Sequence, residues 1–391
     1  MNERTVQKAL MKLLRSAILN EPITEEIGAL ISEDMLPPIF SLAQKHDVAH
    51  LIGYAFQLNK IDFSENSYFQ AFRKMHILAI VRYEQLNFEL KEICKALENA
   101  KIPFMPLKGS VLRNDYPEPW MRTSCDIDIL VRQADLEAAV QYLNRNCAYR
   151  KIGAGSHDVI LSTKRKIHVE LHYDLIEKGR ANSSSTVLKD VWKESVLKPG
   201  YSFWHEMRDE WFYLYNIAHM AKHFEFGGCG IRSIIDTWIL NDRVAHDQEQ
   251  RTQLLQKADL LKFDSAVRHL IAFWYKDEVP DPVTQAFGEF IISGGIIGNK
   301  DNYVAVQQQK QGGKTKYAVS RIILSYDDIK FLYPILQKHK WLTPVMQIRR
   351  WGDIVFSGRM NRSIDELKIN RQMTSEKAKE TAHLLEQLGL K

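Results

Sequence analysis

The stretch PLKGSVLRNDYPEPWMRTSCDIDILV, residues 106–131, decides both the fold and the chemistry expected of this chain. An apolar strand pattern runs into Gly109-Ser110, and a short helical pattern follows. Glycine lets a backbone approach a ligand closely, Ser110 can cap the next helix, and free amides at a helix start suit a phosphate. Lys108 would add a mobile positive charge there. Gly-Ser begins many helices that bind nothing, so this motif alone is weak evidence.

The segment DIDILV, residues 126–131, is typical of a strand. Alternate residues of a strand share a face, so Asp126 and Asp128 point to the same side of the sheet. Burying two carboxylates together is costly unless a cation neutralises them, and hard oxygen ligands favour Mg²⁺ or Mn²⁺. The alternative is that both acids lie at an exposed strand end.

A third acid follows in KIHVELHYDL, residues 166–175, where alternation places His168, Glu170 and His172 on one face. Three acids on adjacent strands would hold two metal ions, as in phosphoryl and nucleotidyl transfer, with Glu170 as a ligand and as a base for the attacking hydroxyl. The alternative is a zinc or iron site of a hydrolase, formed by the HxExH pattern. That interpretation leaves the two aspartates unexplained.

Composition narrows the class of protein. The chain has 391 residues, of which 45% are hydrophobic and 26% charged, which excludes collagen-like and wholly disordered proteins. The net charge of +5 is a mild bias towards anionic ligands and not a nucleic-acid footprint. Four scattered cysteines without a CxxC pair indicate a reducing, cytoplasmic location. No apolar run is long enough for a membrane span, so we expect no membrane partner.

The order strand, Gly-Ser, short helix, DxD strand and later single carboxylate resembles the nucleotidyltransferase superfamily of DNA polymerase β type. The fuller sequence resembles a poorly characterised bacterial nucleotidyltransferase family, whose signature is a KG, a downstream Arg, DiDilV and an ElH-like strand. The resemblance is strongest over residues 103–174 and extends more loosely over most of the chain. A departure is Val111-Leu112-Arg113, where superfamily members often have a basic or aromatic helix start.

The resemblance implies a role for each matching residue. Asp126 and Asp128 would be the paired metal ligands and catalytic acids, and Glu170 the third. Nucleotide phosphates would be bound by the Gly-Ser turn and by two basic residues that fit the narrower signature, together Lys108, Gly109, Ser110 and Arg122. For Arg122, an ion pair with one of the carboxylates is the alternative.

The sequence predicts an α+β fold that is mostly helical, with a small mixed-sheet nucleotidyltransferase core. Residues 1–100 form an N-terminal helical region, 101–178 the catalytic core of four or five strands, and 179–391 a C-terminal helical region. Within the last region, 181–187 is expected to be a turn-rich break and 293–316 a long loop or mobile connector. The tail from Ser357 is expected to form a final helix.

Two features of the C-terminal region bear on the site. Lys222 and His223 lie on one helix face, and we expect them to contact the base, ribose or acceptor if this region closes over the sheet. Arg232 and Asp236 are four residues apart on the next helix and are expected to pair with each other.

These observations predict a Mg²⁺-dependent nucleotidyltransferase that moves a nucleoside monophosphate from an NTP such as ATP to a hydroxyl and releases pyrophosphate. The acceptor is expected to be a small molecule or a protein, and a nucleic acid less so, since the chain shows no aromatic and basic stripe. The alternatives are the hydrolase and a nucleotide-binding regulatory protein without turnover.

Overall fold

Five α-helices precede the sheet in the part of the chain that the structure describes. The computed structural model describes residues 3–155, 157–175, 183–244, 248–296, 298–356 and 360–390. The five helices are α1 (Glu3–Leu19), α2 (Glu25–Leu30), α3 (Leu36–Lys45), α4 (Ala49–Leu58) and α5 (Ser67–Asn99).

The long helix α5 has clear sequence signals at both ends. The side chain of Asn66 caps its first turn, and Pro103, which cannot continue a helix, follows its end. Helix α4 packs so closely on α5 that a side chain at Gly53 would overlap the carbonyl group of Phe72. Glycine is therefore required at this crossing.

The predicted acids lie on a five-stranded sheet with the order β1-β2-β5-β4-β3. The elements of this core are β1 (Phe104–Pro106), α6 (Gly109–Leu112), β2 (Asp126–Val131), α7 (Leu136–Cys147), β3 (Arg150–Ala154), β4 (Asp158–Ser162) and β5 (His168–His172). Strand β2 pairs with β5 in parallel, and the other three pairings are antiparallel. The sheet is therefore mixed, and the predicted α+β class with a helical majority is confirmed.

One face of the sheet carries the core. Ile127, Ile129 and Val131 of β2, with Val169 and Leu171 of β5, are fully buried in a cluster that includes residues of α5 and α7. Each of these apolar side chains stabilises the fold by about 2 kcal/mol through removal from water. Because strand residues alternate, the polar residues between them face away from this core.

Further helices and a two-stranded sheet follow the five-stranded sheet. They are α8 (Ser183–Leu188), β6 (Ser195–Leu197), β7 (His205–Met207), α9 (Asp209–Phe224), α10 (Ile231–Arg243), α11 (Gln248–Lys257) and α12 (Leu261–Tyr275). The turn-rich break expected at 181–187 is wrong for 183–187, which belong to α8, while 181 and 182 lie outside the described residues. Leu188 is buried on this helix, and burial of its apolar side chain offsets the weak helix preference of the serines.

The chain divides into two compact units, one of residues 1–220 with 231–285, and one of 221–230 with 286–391. The remaining helices are α13 (Pro282–Ser293), α14 (Lys300–Lys310), α15 (Lys314–Ile322), α16 (Tyr326–Leu332), α17 (Thr343–Phe356), α18 (Met360–Gln372) and α19 (Ser375–Gln387). A small core of the second unit contains Val304, Ala305, Tyr317, Met373 and Ala378. The three regions named from the sequence stay a prediction.

The expectation of a long loop or connector over residues 293–316 is wrong, because α14 and the start of α15 lie there; residue 297 is outside the described residues. The side chain of Asn299 caps α14. On the buried side of α14, the Gln308 amide donates to the Asn370 side chain at 2.7 Å. A polar residue thus stands at a buried position where an amphipathic helix usually has an apolar one. The spacing of apolar residues therefore does not indicate this helix.

The tail forms two helices, α18 and α19, instead of the expected single one; residues 357–359 and 391 lie outside the described residues. The break comes where Thr374 caps α19. Among the described residues, every helix is too short or too polar to cross a membrane.

The segment between α6 and β2 is fixed by the N-terminal helices. The buried imidazole of His50, on α4, donates from Nε2 to the carbonyl oxygen of Met121 at 2.8 Å. Thr123 donates its hydroxyl to the Asp47 carboxylate at 2.8 Å. Burial lowers the pKa of His50 from its ordinary 6.5 to about 4, despite the bond to Met121.

His50 should make the fold sensitive to acid. As the pH falls from 6.5 to 4, the unfolded chain protonates this imidazole before the folded chain does, so the free energy of unfolding falls by about 3 kcal/mol. Urea denaturation of the parent and of His50→Gln, which keeps an N–H donor, measures this between pH 7.5 and pH 4. Other titrating groups cancel in the difference between the two proteins. Parallel pH profiles for both would contradict the prediction.

Candidate active site

The pairing of β2 with β5 brings the predicted acids together. In this parallel register Asp128 lies opposite Glu170, and Asp126 lies opposite His168. Neighbouring strands are about 4.8 Å apart, so side chains on one face at the same level are in contact range. The carboxylates of Asp128 and Glu170 therefore share a small volume on the side of the sheet away from the core.

Asp128 is the most buried of the three acids, and two side chains donate hydrogen bonds to its carboxylate. Its Oδ1 accepts from Lys108 Nζ at 2.8 Å and from His172 Nε2 at 2.8 Å. Burial alone would raise the pKa of this carboxyl, but Lys108 and His172 outweigh it, and the pKa lies below the usual range. Asp128 is therefore ionised at neutral pH.

The other two acids lie close to the same group of negatively charged and hydrogen-bonding side chains. Burial raises the pKa of Asp126, and the negative charges of Asp128 and Glu170 raise it further. The Oε2 atom of Glu170 lies 3.3 Å from His172 Nε2. Ligand atoms of Asp128, Glu170 and His172 all lie within 4.8 Å of one another; Asp126 is in no such group within the part of the chain that the structure describes.

The donor set fits a hard divalent cation. Carboxylate oxygens are the ligands that Mg²⁺ prefers. The pKa of Asp126 is raised first by burial and then by repulsion from Asp128 and Glu170, and a bound cation would relieve this repulsion. Lys108 supplies a positive charge that opposes the acids, and His172 supplies a hydrogen-bond donor. For those two residues burial lowers the pKa, yet contacts with Asp128, and for His172 also with Glu170, raise it above the ordinary value.

The Gly-Ser corner differs from its sequence-based description. Ser110 does not cap α6: the cap position is Lys108, which makes no side-chain capping bond. Two of the amides expected to be free are bonded within the corner, with Ser110 N donating to Leu107 O at 3.1 Å and Val111 N to Lys108 O at 3.1 Å. The reason is local, because the four-residue helix closes tightly over the strand end.

Two features of this corner nevertheless favour a ligand. Lys108 has φ 44° and ψ −125°, a backbone conformation that costs a non-glycine residue about 1–3 kcal/mol. The hydroxyl of Ser110 is buried without a hydrogen-bond partner among the described residues. An unpaired buried hydroxyl is itself costly, by about 1–3 kcal/mol.

Arg122 lies beside Gly109 but is held by a carboxylate from another helix. Its Nε donates to Asp236 Oδ1 at 2.7 Å, and Tyr116 donates its hydroxyl to the same oxygen at 2.5 Å. The alternative of an ion pair with Asp126 or Asp128 is therefore wrong. The Arg122 guanidinium nevertheless lies beside Gly109, with Nη1 3.7 Å from the position of a Cβ built there.

The pairing expected between Arg232 and Asp236 is wrong. Arg232 donates instead to the Asp47 carboxylate and to the carbonyl oxygen of Thr123. Their spacing on α10 brings two side chains to one helix face, but it does not exclude better-placed partners from other elements. Here Asp236 forms its ion pair with Arg122 instead.

Arg113 is a further basic residue at this corner. It is buried, donating from Nε to Gly109 O at 2.6 Å and from Nη2 to Ser124 Oγ at 3.0 Å. Burial, and then the nearby charge of Arg122, lower its pKa to about 10. Its guanidinium therefore supports the glycine backbone.

Lys222 and His223 lie on the last turn of α9, in the second compact unit. The carbonyl oxygens of both accept amides of the turn that follows, from Glu225 and Phe226. Their expected contact with the base, ribose or acceptor stays a prediction.

The sequence did not indicate Tyr215. This residue of α9 is buried, and burial raises the pKa of its phenol. The charges of Lys108, Asp128 and Glu170 also act on this phenol, so Tyr215 lies within electrostatic range of the acid cluster. The aromatic run EWFYLY around it is typical of a core helix, so no signal distinguished this one tyrosine.

The HxExH pattern is not assembled as a metal site. His172 and Glu170 meet, but His168 is exposed and is in neither of the two groups of potential metal ligands found among the described residues. The second of these groups contains His157 and Asp158 with His172. In a straight strand the first and last residues of such a pattern are about 13 Å apart, too far to share one ion.

The chain matches a known protein family. A model of a family described as "Uncharacterised nucleotidyltransferase" matches residues 36–275, well over half of the chain. The match begins at the first residue of α3 and ends at the last residue of α12. No curated protein and no solved structure matches the chain.

Proposed function

Because the chain belongs to this uncharacterised nucleotidyltransferase family, we propose that it transfers a nucleoside monophosphate from an NTP to a hydroxyl group. The hydroxyl oxygen forms a bond to the α-phosphorus. The bond between the α-phosphorus and the oxygen that bridges to the β-phosphate breaks, and pyrophosphate leaves. The acceptor is a small molecule or a protein, and the reaction uses Mg²⁺ in the cytoplasm.

One observation carries this proposal: Asp128 and Glu170 lie opposite each other on parallel strands, and Asp126 is close enough for both to raise its pKa. Converging ionised acids on one sheet face are costly unless they serve a cation. Nucleotidyl transfer needs such a cation to hold a polyanionic NTP against an attacking oxygen.

Each side chain has a task in the proposed reaction. Asp126, Asp128 and Glu170 would hold Mg²⁺, which when bound stabilises negative charge on the α-phosphate and the leaving pyrophosphate. Glu170, which is partly exposed, receives the proton of the acceptor hydroxyl. Lys108 neutralises Asp128 in the absence of substrate and turns its ammonium group to the phosphates when NTP is present.

Labelled nucleotides test this function directly. The protein is incubated with Mg²⁺, a cell extract and each NTP carrying the label on either the α- or the γ-phosphate. Label from the α-position should enter an adduct, and label from the γ-position should not. The double variant Asp126→Ala/Asp128→Ala is the control and should give no adduct. Incorporation of the γ-label would contradict the proposal, because it indicates phosphoryl transfer.

The Gly109→Ala variant tests whether phosphates approach this backbone. A Cβ at Gly109 would lie 3.5 Å from Ser124 Cβ and 3.7 Å from Arg122 Nη1, ordinary contacts, so the fold should tolerate it or gain up to about 1 kcal/mol. We expect the KM for NTP to rise about tenfold, the cost of roughly one displaced phosphate contact. Steady-state kinetics with thermal unfolding measure both effects.

Gly352→Ala is the matched control, because nothing lies within 4 Å of its added methyl group and it is in helix α17 of the second unit. It should leave KM unchanged. A normal KM in Gly109→Ala would show that the phosphates bind elsewhere.

A further inference from the structure

A second group of potential metal ligands lies at the end of the β4–β5 pair. Asp158 and His172 are directly opposite in the antiparallel register. His157 precedes β4, and its carbonyl oxygen accepts the amide of Tyr173 at 2.9 Å, which fixes its backbone to β5. One ligand atom from each of His157, Asp158 and His172 lies within 4.8 Å of the others. The ring centroids of the two histidines are 5.4 Å apart.

The chemistry of these donors differs from that of the three acids. Two imidazole nitrogens and one carboxylate oxygen suit a borderline ion such as Zn²⁺, whereas Mg²⁺ prefers oxygen alone. Asp158 and His172 are buried and His157 is partly exposed. Three protein ligands with one exposed side would leave a fourth position for water or another ligand.

Both buried ligands are held by hydrogen bonds of the kind that orient ligands at metal sites. His172 donates from Nε2 to Asp128 at 2.8 Å, which leaves Nδ1 as the nitrogen for the second group. Metal-binding histidines usually donate their other ring N–H to a carboxylate. The Oδ1 atom of Asp158 accepts the amide of Gly155 at 2.8 Å, so Oδ2 can serve as the ligand. A side chain at Gly155 would overlap the Asp158 carboxylate and displace it from this position.

We propose that His157, Asp158 and His172 form a site for a transition-metal ion of the Zn²⁺ class, distinct from the three-acid cluster. The ion binds His172 on one side of its ring while Asp128 accepts from the other side. Metal binding therefore fixes the orientation of the imidazole that contacts Asp128. This proposal goes beyond nucleotidyl transfer and does not depend on it.

Metal titration tests the site without any nucleotide. The full-length protein is freed of bound metal with a chelator and titrated with Zn²⁺ by calorimetry, and with Co²⁺ by visible absorption, always in excess Mg²⁺. We expect one ion per chain and the intense absorption of tetrahedral Co²⁺. His157→Ala should weaken Zn²⁺ binding at least about 100-fold, and Asp128→Asn about 10-fold through the lost support of His172.

His168→Ala is the matched control, because it removes an exposed histidine from β5 and should leave the Zn²⁺ affinity unchanged. His157→Asn, which keeps a polar side chain, and circular dichroism of every variant guard against misfolding. Three results would overturn the proposal: equal Zn²⁺ affinity in parent and folded His157 variants, loss of affinity in His168→Ala, or competitive displacement of Zn²⁺ by Mg²⁺. The last would place the ion at the three acids.

Discussion

Replacement of Asp128 by Asn should lower the rate of nucleotidyl transfer by roughly a thousandfold, in the range seen when one transition-state-stabilising group is removed from an active site. Asp128 is the acid at the centre of the cluster, contacting Lys108 and His172 and lying opposite Glu170. Asn has the same shape and still accepts from Lys108, so the effect arises from the lost charge. The initial rate of adduct formation from α-labelled NTP measures it.

Asp115→Asn is the matched control for this prediction. Asp115 also lies within residues 106–131, and it pairs with Arg243 at 2.9 Å. The Asp115→Asn variant therefore also loses an ion-paired carboxylate. It has no contact with the three acids and should retain the parent rate within a few-fold. An Asp128→Asn rate within tenfold of the parent rate would remove Asp128 from the catalytic machinery.

Replacement of Arg122 by Met should lower the free energy of unfolding by about 3–5 kcal/mol, because it leaves the Asp236 carboxylate buried without its cation. The double variant Arg122→Met/Asp236→Leu should recover most of this loss, since it removes both charges. Urea denaturation of the parent, both single variants and the double variant gives the coupling energy between the two residues.

The same four proteins decide whether Arg122 also binds nucleotide. If it does, the stable double variant still shows a raised KM for NTP; if it only holds Asp236, the KM returns to the parent value. The pair Lys198 and Glu206, 2.6 Å apart and partly exposed, is the control and should couple by less than about 1 kcal/mol. A coupling equally small for Arg122 and Asp236 would contradict the structural role.

Some errors of the sequence-based prediction have a common cause. The helix within 293–316 was missed because Gln308 is polar but buried, bonded to Asn370, a partner 62 residues away. Arg122 pairs with Asp236, 114 residues away, rather than with a nearby acid. An analysis of hydrophobic periodicity assigns every polar residue to the exposed face of a helix. A partner that is distant in sequence leaves no signal in the local pattern of residues.

The sequence by itself determined the helices and strands of the sheet region and the face on which each acid lies, because alternation and the positions of Gly and Pro act over a few residues. It also contained all the residues of the proposed site. Only the tertiary structure decided that β2 neighbours β5, that Tyr215 lies within electrostatic range of the acids, and that His157 rather than His168 meets His172. Side-chain alternation selects a face, but the order and register of strands depend on packing of the whole sheet.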